Sequence, residues 1–599
     1  MRLITHPIKR QIVRIHVAET PWDLAQFVDW VEANSTALGF DTETTGLDWW
    51  NADRGFRCRL AQFGTATESW VLPVEAGEDY AEAARWALRQ AGRLIIHNAN
   101  FDLHVVEATL GIPLEELAPK AICTKITAHL VDPRAVKEQG PGLKLEELTK
   151  HYLDRDLAEQ VKGSMTRIAK AYKVKKEDIW PIVSLSDETF LLYAGMDPCL
   201  AYRLFHLLYP MIPLRSRRKG LFGWEHRLAY VCALIERTGY LLDAEYAEAR
   251  AAELLAEQAK WEAVAAEFGV ANVNSSAQLI EAFTGFGVRL TKKTAKGNLA
   301  MDAEVLDAID HPLAEAVKKA TKAGKWRSTW FERALSGRDS KGRVHATLNS
   351  LQARTARMSI TGSVPAQTFP AGTGYVRHMF LAEEGHVTCC IDFANMELRF
   401  LAAESGDPVM RDAFANGKDL HQITADAAGV PRKVGKMGNF LIVFGGGWKA
   451  LVTQAKVLED VARRTIDAFG STYTYVGKLA DRLMAEARRT GFIYTSTGRR
   501  LPVDRGRLYA AQNYFIQSGS RDITARAVLR LHEAGYTKWM RLIIHDEIVF
   551  SFPKDRAEEL MREAAKLMQF TVKGVEIPAD GEIGDRSWGS VLDLEDSKH

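Results

Sequence analysis

Two groups of carboxylates and one mixed stripe in this chain have the residue types and spacing for phosphate chemistry. In the first group, Asp41 and Glu43 close an apolar run in ALGFDTETTGL, Asp102 follows another in RLIIHNANFD, and Asp197 stands four residues after Tyr193 in YAGMD. Singly, each acid reads as a surface or capping residue. Together, like charges repel unless a cation neutralises them, and hard divalent ions take oxygen ligands of this kind. Two such ions ~3.5–4 Å apart activate a water and stabilise the leaving oxygen of a phosphodiester displacement. The second group is Asp392 in VTCCID with Asp546 and Glu547 in RLIIHDEIVFSF. Nucleotidyl transfer needs the same pair of ions, bridging a 3′ oxygen and a triphosphate. The stripe is PRKVGKMGNFLIVFGGG, where Arg432, Lys436, Phe440 and Phe444 recur every fourth residue. On a helix they form one slowly drifting line, with cations suited to a triphosphate and rings on which a nucleobase can stack.

Definite elements must hold these residues. Alternation along a strand puts Asp41 and Glu43 on one face, and a helical spacing puts Tyr193 over Asp197. Asp392 ends a strand before the helical run NMELRFLAAES, and Asp546 sits at the tip of a hairpin between two apolar runs. Strand-like and helical runs alternate up to about Leu208, which predicts an α/β domain. From Trp224 to about Ala334 the pattern is helical and charged. Between these lies YPMIPLRSRRKG, read as a connector whose Arg215, Arg217, Arg218 and Lys219 form a solvated face in preference to the alternative, a DNA contact.

The 599 residues suffice for several domains. A net charge of +2 argues against a basic coat protein, but not against a cleft that concentrates positive charge. The six cysteines show no CxxC pair, so a zinc site or disulfide framework is not expected, and Cys389 and Cys390 read as small core residues. No signal peptide and no apolar stretch of ~18 residues is present, so a soluble cytoplasmic protein without a membrane is expected.

In this order and with these neighbours, the first group resembles the DEDDy 3′→5′ exonucleases over roughly residues 10–210, with Asn98 and Phe101 where the second motif of that family expects them. The resemblance implies that Asp41, Glu43, Asp102 and Asp197 hold metals and that Tyr193 orients the attacking water. Downstream, DFANMELRF, RKVGKMGNFLIVFG and HDE resemble motifs A, B and C of the family A DNA polymerases, in family order. GRVHATLNSLQARTARMS, VPAQTFP and DLHQITA resemble the flanking segments of that family. The fold this implies is a multidomain α/β (α+β) chain. A ribonuclease H-like exonuclease domain (1–210) and a linker (211–223) would precede a right hand of thumb (224–340), palm (341–406 and 536–599) and fingers (407–535). The implied roles are metal binding by Asp392, Asp546, Glu547 and the Phe393 carbonyl, with magnesium or manganese, two ions per site. Arg432, Lys436 and His421 would hold the triphosphate, with Lys436 also a general acid. Phe440 and Phe444 would lie near the nucleotide, and Glu397 would exclude a ribose 2′-OH. Arg357, Asn513, Gln517 and His545 would read the minor groove and the primer end.

Three positions depart from the pattern: Phe444 replaces a frequent Tyr, Leu441 a usual Gly, and Gly438 lies inside the helix, where it costs roughly 1 kcal/mol relative to Ala. A Phe at 440 matches relatives that reject dideoxynucleotides. No stretch before Asp41 could house a 5′ nuclease, so flap removal is expected from another protein. Without a long insertion between Trp224 and Arg343, a thioredoxin partner is not expected either. The expected partners are primer–template DNA, dNTPs and replisome accessory proteins, with the chain itself a monomer most like a bacteriophage replicative polymerase. Three rival readings are weighed: a single-subunit RNA polymerase, a DNA-binding scaffold with decayed sites, and an exonuclease whose second half only grips DNA. Glu397 and the attached nuclease motifs speak against the first, and intact carboxylates against the second. Mutation separates the third.

Overall fold

The computed structural model describes residues 1–294, 296–370 and 372–596. Its N-terminal unit is built on seven strands: β1 Arg2–Ile8, β2 Gln11–Val17, β3 Leu38–Thr44, β4 Cys58–Gly64, β5 Glu68–Leu72, β6 Leu94–Ile96 and β7 Ala121–Cys123. They lie in the order β1-β2-β5-β4-β3-β6-β7. β3 runs antiparallel to β4 and parallel to β6. All seven residues of β4 are buried, as a strand covered on both faces requires. The helix Glu188–Leu208 lies on this sheet at backbone distance because Gly39 and Gly64 face Pro198. A β-carbon on Gly39 would fall 2.1 Å from the Pro198 carbonyl oxygen. That close approach carries Asp197, the residue before Pro198, down to β3.

The connector carries both exposed and buried residues. Its four cationic side chains are exposed, but Leu214–Arg218 is helical and Ser216 is buried, donating to the Gly498 carbonyl at 2.8 Å. The Arg215 guanidinium lies 4.9 Å from the centre of the Tyr494 ring. The segment is therefore docked on the second unit.

That second unit centres on a four-stranded antiparallel sheet. His386–Phe393 is flanked by Glu547–Pro553 and Ala579–Ile583, with Met540–Ile544 beyond Glu547–Pro553. Helices Met396–Ser405 and Ala510–Glu533 share its core through Phe400, which lies against Gly519 and Phe515. The helices Ala244–Glu267 and Pro312–Trp326 extend to a separate small core around Leu279, Phe283 and Val317. The two units touch directly. The Trp50 indole donates to the Gly337 carbonyl at 3.0 Å, and His226 accepts from the Cys123 amide at 2.9 Å. All six cysteines are free, Cys389 fully buried and Cys390 partly. No helix among the described residues is long and apolar enough to cross a membrane.

Candidate functional sites

On β3, Asp41 and Glu43 alternate onto one face, and the helix Glu188–Leu208 brings Asp197 to it. Ligand atoms of these three carboxylates lie within 4.8 Å of one another. Asp102, in the helix Asn100–Leu110, is tied to the same strand: the Thr42 amide and hydroxyl donate to its Oδ1 at 3.0 and 2.7 Å. Burial pushes the Asp102 carboxyl up to about 7 against those hydrogen bonds, and the charge of Asp197 adds to the rise. Crowded hard oxygen donors of this kind fit magnesium or manganese. Tyr193 stands one turn before Asp197, its ring 5.8 Å from that of Trp180. Thr42 escaped the sequence reading, although the residue between two same-face acids must face the other way.

A cavity of about 800 Å³ is lined by Leu47, Trp50, Asn98, Phe101 and Lys125 together with Arg333 of the second unit. Asn98 has a left-handed backbone (φ 63°) and accepts from Lys125 Nζ at 3.1 Å. Contributions from Lys125 and Arg333 carry no local motif.

The second carboxylate group gathers at the end of the central sheet. Ile544 pairs with Glu547, leaving His545 and Asp546 as a two-residue turn with His545 at φ 57°. Ile391 pairs with Ile548, which sets Asp392 beside Glu547. Burial and the charges of Asp546, Glu547 and Glu397 push Asp392 up to about 7, against a 2.7 Å hydrogen bond from its neighbour's amide at Phe393. Asp546 and Glu397 are raised as well, chiefly by burial, and Arg357 opposes both rises. Arg357, Glu397, Gln517, His545 and Asp546 line one pocket, whose floor adds Arg521, a residue the sequence reading missed. Asn513 stands one turn before Gln517 on the helix Ala510–Glu533. The burial of His545 and the nearby Arg357 lower its pKa.

The cationic stripe lies on the helix Arg432–Val443. The helix stops one residue short of Phe444, correcting the expectation of a stripe carried wholly on a helix, yet the Phe444 ring still stacks on Phe440 at 6.3 Å. His421, from the helix Leu420–Ala428, joins the group 5.5 Å from Phe440 and 3.1 Å from the Asn439 amide nitrogen. Burial lowers its pKa, and Arg432 and Lys436 add to the fall. Arg432 donates to Asp419 at 2.5 Å. The structure accounts for Gly438: a β-carbon there would fall 2.6 Å from Thr465 Cγ2 on the neighbouring helix Glu459–Thr472. At Gly435 it would fall 2.6 Å from the His421 carbonyl oxygen. Nothing in the structure explains Leu441. Gly→Ala inside a helix ordinarily stabilises by about 1 kcal/mol. Here Gly435→Ala is expected to destabilise by about 1–3 kcal/mol through overpacking, read as a fall in Tm. A rise in Tm would show that the two helices separate freely.

Residues 244–590 match the family model of DNA polymerase family A, and residues 16–213 that of a 3′-5′ exonuclease. The chain is 46% identical over 592 residues to the DNA polymerase of Mycobacterium phage L5, spanning 98% of this chain and 99% of that one. With the DNA polymerase of Mycobacterium phage D29 it shares 44% over 604 residues, at the same coverage. Thermostable DNA polymerase I of Thermus aquaticus is 30% identical over 428 residues, 65% of this chain and 51% of that protein. Among solved structures, the POL domain of Pol1 from M. smegmatis, in complex with DNA primer-template and dNTP, superposes with a TM-score of 0.73 at 21% identity. That match covers 96% of this chain and all of the other, and it supports the fold.

Proposed function

The chain belongs to the family A DNA polymerases and carries a 3′→5′ exonuclease domain on its N-terminal side, and from that premise we propose that it copies DNA by two-metal nucleotidyl transfer at Asp392 and Asp546 and excises mispaired ends at Asp41, Glu43, Asp102 and Asp197. The observation that carries the proposal is the crowding of Asp392 at a strand end, Asp546 and Glu547 at a hairpin tip and Glu397 at a helix start, each within electrostatic reach of another. Residues 224–340 form the thumb, 341–406 and 536–599 the palm, and 407–535 the fingers.

In the polymerase site, Asp392, Asp546, Glu547 and the Phe393 carbonyl would hold two divalent ions, magnesium or manganese. In the exonuclease site, Asp41, Glu43, Asp102 and Asp197 would do the same. When bound, such ions lower the pKa of the attacking oxygen and neutralise charge on the leaving one. Arg432, Lys436 and His421 grip the triphosphate by charge-assisted hydrogen bonds, and Lys436 gives a proton to the departing pyrophosphate. Phe440 stacks on the nucleotide with Phe444 behind it, and Glu397 fills the space a ribose 2′-OH would need. Arg357, Asn513, Gln517 and His545 read minor-groove acceptors that do not distinguish sequence, so they sense fit. Closure of the fingers completes the site around a well-formed pair. A frayed end reaches Tyr193, which orients the attacking water. The substrates are primer–template DNA and dNTPs. The protein works as a monomer without thioredoxin, alongside replisome accessory proteins, replicating phage DNA in the host cytoplasm.

Burial holds the protons on Asp102 and Asp392 up to about 7, well above the ordinary aspartate value of 3.8. A metal must displace those protons, so the half-saturating magnesium concentration for excision and for extension should rise as pH falls below 7, up to about tenfold per unit for each proton displaced. Magnesium titrations at pH 8 and pH 6 measure this, and identical half-saturation would contradict it. Dideoxynucleotides should be poor substrates, and Phe440→Tyr should improve their use at least about tenfold, since a phenol hydroxyl can supply one hydrogen bond worth ~1.4 kcal/mol. Competition of dideoxy- with deoxynucleotide measures it, and efficient wild-type incorporation would sink it.

A further inference from the structure

The segment Ser350–Arg357 (SLQARTAR) delivers Arg357 to the polymerase pocket, and its anchors come from both domains. At its start, the Ser350 carbonyl accepts from Arg521 Nη2 at 2.7 Å, while Leu351 is buried in the core cluster that the exonuclease domain shares with the helix Leu221–Thr238. The Ala353 carbonyl lies 2.9 Å from Nε2 of His129, a buried residue of the exonuclease-domain helix Thr124–Val131. The Arg354 guanidinium is nearly enclosed. It donates to Asp504 at 2.8 Å, lies 3.3 Å from Glu138 of the exonuclease domain, and stands 5.4 Å over the ring of Tyr514, the neighbour of Asn513. The Thr355 hydroxyl donates to Gln517 Oε1 at 3.3 Å.

Between these anchors the backbone is strained. Ala356 is fully buried at φ 64°, a left-handed conformation in which its β-carbon is crowded. Its amide donates to the Ala353 carbonyl at 2.8 Å, and the amides of Gln352 and Ala353 close on the Arg357 carbonyl at 3.4 and 3.3 Å. Such a backbone persists where surrounding contacts over-determine it. Here those contacts come from both domains, His129 and Glu138 supplying the exonuclease side.

We propose that this strap makes the exonuclease domain a positioning partner of the polymerase site: His129 and Glu138, acting through Ala353 and Arg354, hold Arg357 and Gln517 where they engage the primer end. Arg354, His129 and Glu138 touch no reacting group in this scheme, so they are positioning residues. The inference rests on the assignment of Arg357 and Gln517 to the primer end. Small displacements of such groups cost rate steeply, since a shift of ~1 Å can cost about a hundredfold.

The test compares wild type with Arg354→Lys, His129→Leu and Arg357→Ala in full-length protein. Three quantities are read: single-nucleotide extension of matched and of mismatched primers, excision of a single-stranded oligonucleotide, and Tm. Arg354→Lys and His129→Leu should each lower kcat for matched extension about tenfold and narrow the matched-to-mismatched ratio. KM for dNTP and excision of the single strand should stay within about twofold of wild type. Unchanged extension and discrimination in both variants would overturn the proposal. So would extension and excision falling together with Tm, the mark of a merely structural role. Arg357→Ala separates the two ways of failing. If it leaves discrimination intact, the primer-end assignment fails and the strap fails with it. If it destroys discrimination while Arg354→Lys and His129→Leu are silent, the strap alone fails.

Discussion

Asp392→Ala or Asp546→Ala is expected to remove primer extension while single-stranded DNA is still degraded from its 3′ end, and Asp41→Ala or Asp197→Ala to do the reverse. The expected loss is at least about 10³-fold, because charge stabilisation by bound metal is worth several kcal/mol and each ~1.4 kcal/mol is a factor of ten. Each aspartate contributes to a crowded carboxylate group, and the two groups lie on separate sheets with separate cores. Removing one acid also relieves repulsion, so the variants should fold at least as well as wild type, with Asp392→Ala the clearest case since Asp546 and Glu547 raise its pKa. Rates of extension and excision on the four variants measure the separation. Loss of both activities in any one of them would show that the sites are not independent.

The second large effect is on stability. Glu225→Ala is expected to cost about 3–5 kcal/mol, because it strands buried guanidinium groups. Glu225 is fully buried at the start of the helix Leu221–Thr238. Arg521 donates to both its oxygens at 2.7 and 2.8 Å, Arg499 also pairs with it, and Arg499 reaches Asp522 at 2.9 Å. The Trp224 ring lies against both guanidinium groups, at 5.4 and 5.9 Å. Burial alone would raise the pKa of Glu225, but the two arginines outweigh it and hold the pKa at about 2, below the ordinary glutamate value of 4.5. A depressed acid contributes stability above its unfolded pKa and loses it as pH falls through the folded one. The network should therefore be at full strength at neutral pH and weaken between about pH 4.5 and 2. Denaturant unfolding of wild type and Glu225→Ala at pH 7 measures the cost, which is a large share of the ~5–15 kcal/mol typical of a folded domain. A difference below about 1 kcal/mol would mean that water or rearrangement satisfies both arginines.

The candidate carboxylates are legible because each is written in local periodicity. Two-residue alternation put Asp41 and Glu43 on one face, one helical turn put Tyr193 over Asp197, and an acid between two apolar runs marked the hairpin at Asp546. Gly438 had no visible reason, because its reason is Thr465, a residue of another helix. Arg521 and the strap were hidden in the same way: His129 meets Ala353 across 224 positions and Arg354 meets Asp504 across 150. No periodicity spans such separations, and packing alone decides them. The docking of the connector was hidden for a related reason. Its basic and proline-rich composition describes what the side chains show to water, whereas its docking depends on Ser216 and Arg215 finding Gly498 and Tyr494.

The central claim is that one chain both builds and trims a DNA strand. It is tested most directly by incubating a labelled primer, annealed to a longer template, with the protein and magnesium, with and without dNTPs. The account predicts full-length product with dNTPs and progressive shortening without them. Shortening under both conditions, unchanged by Asp392→Ala, would contradict it and leave the second domain a holder of DNA.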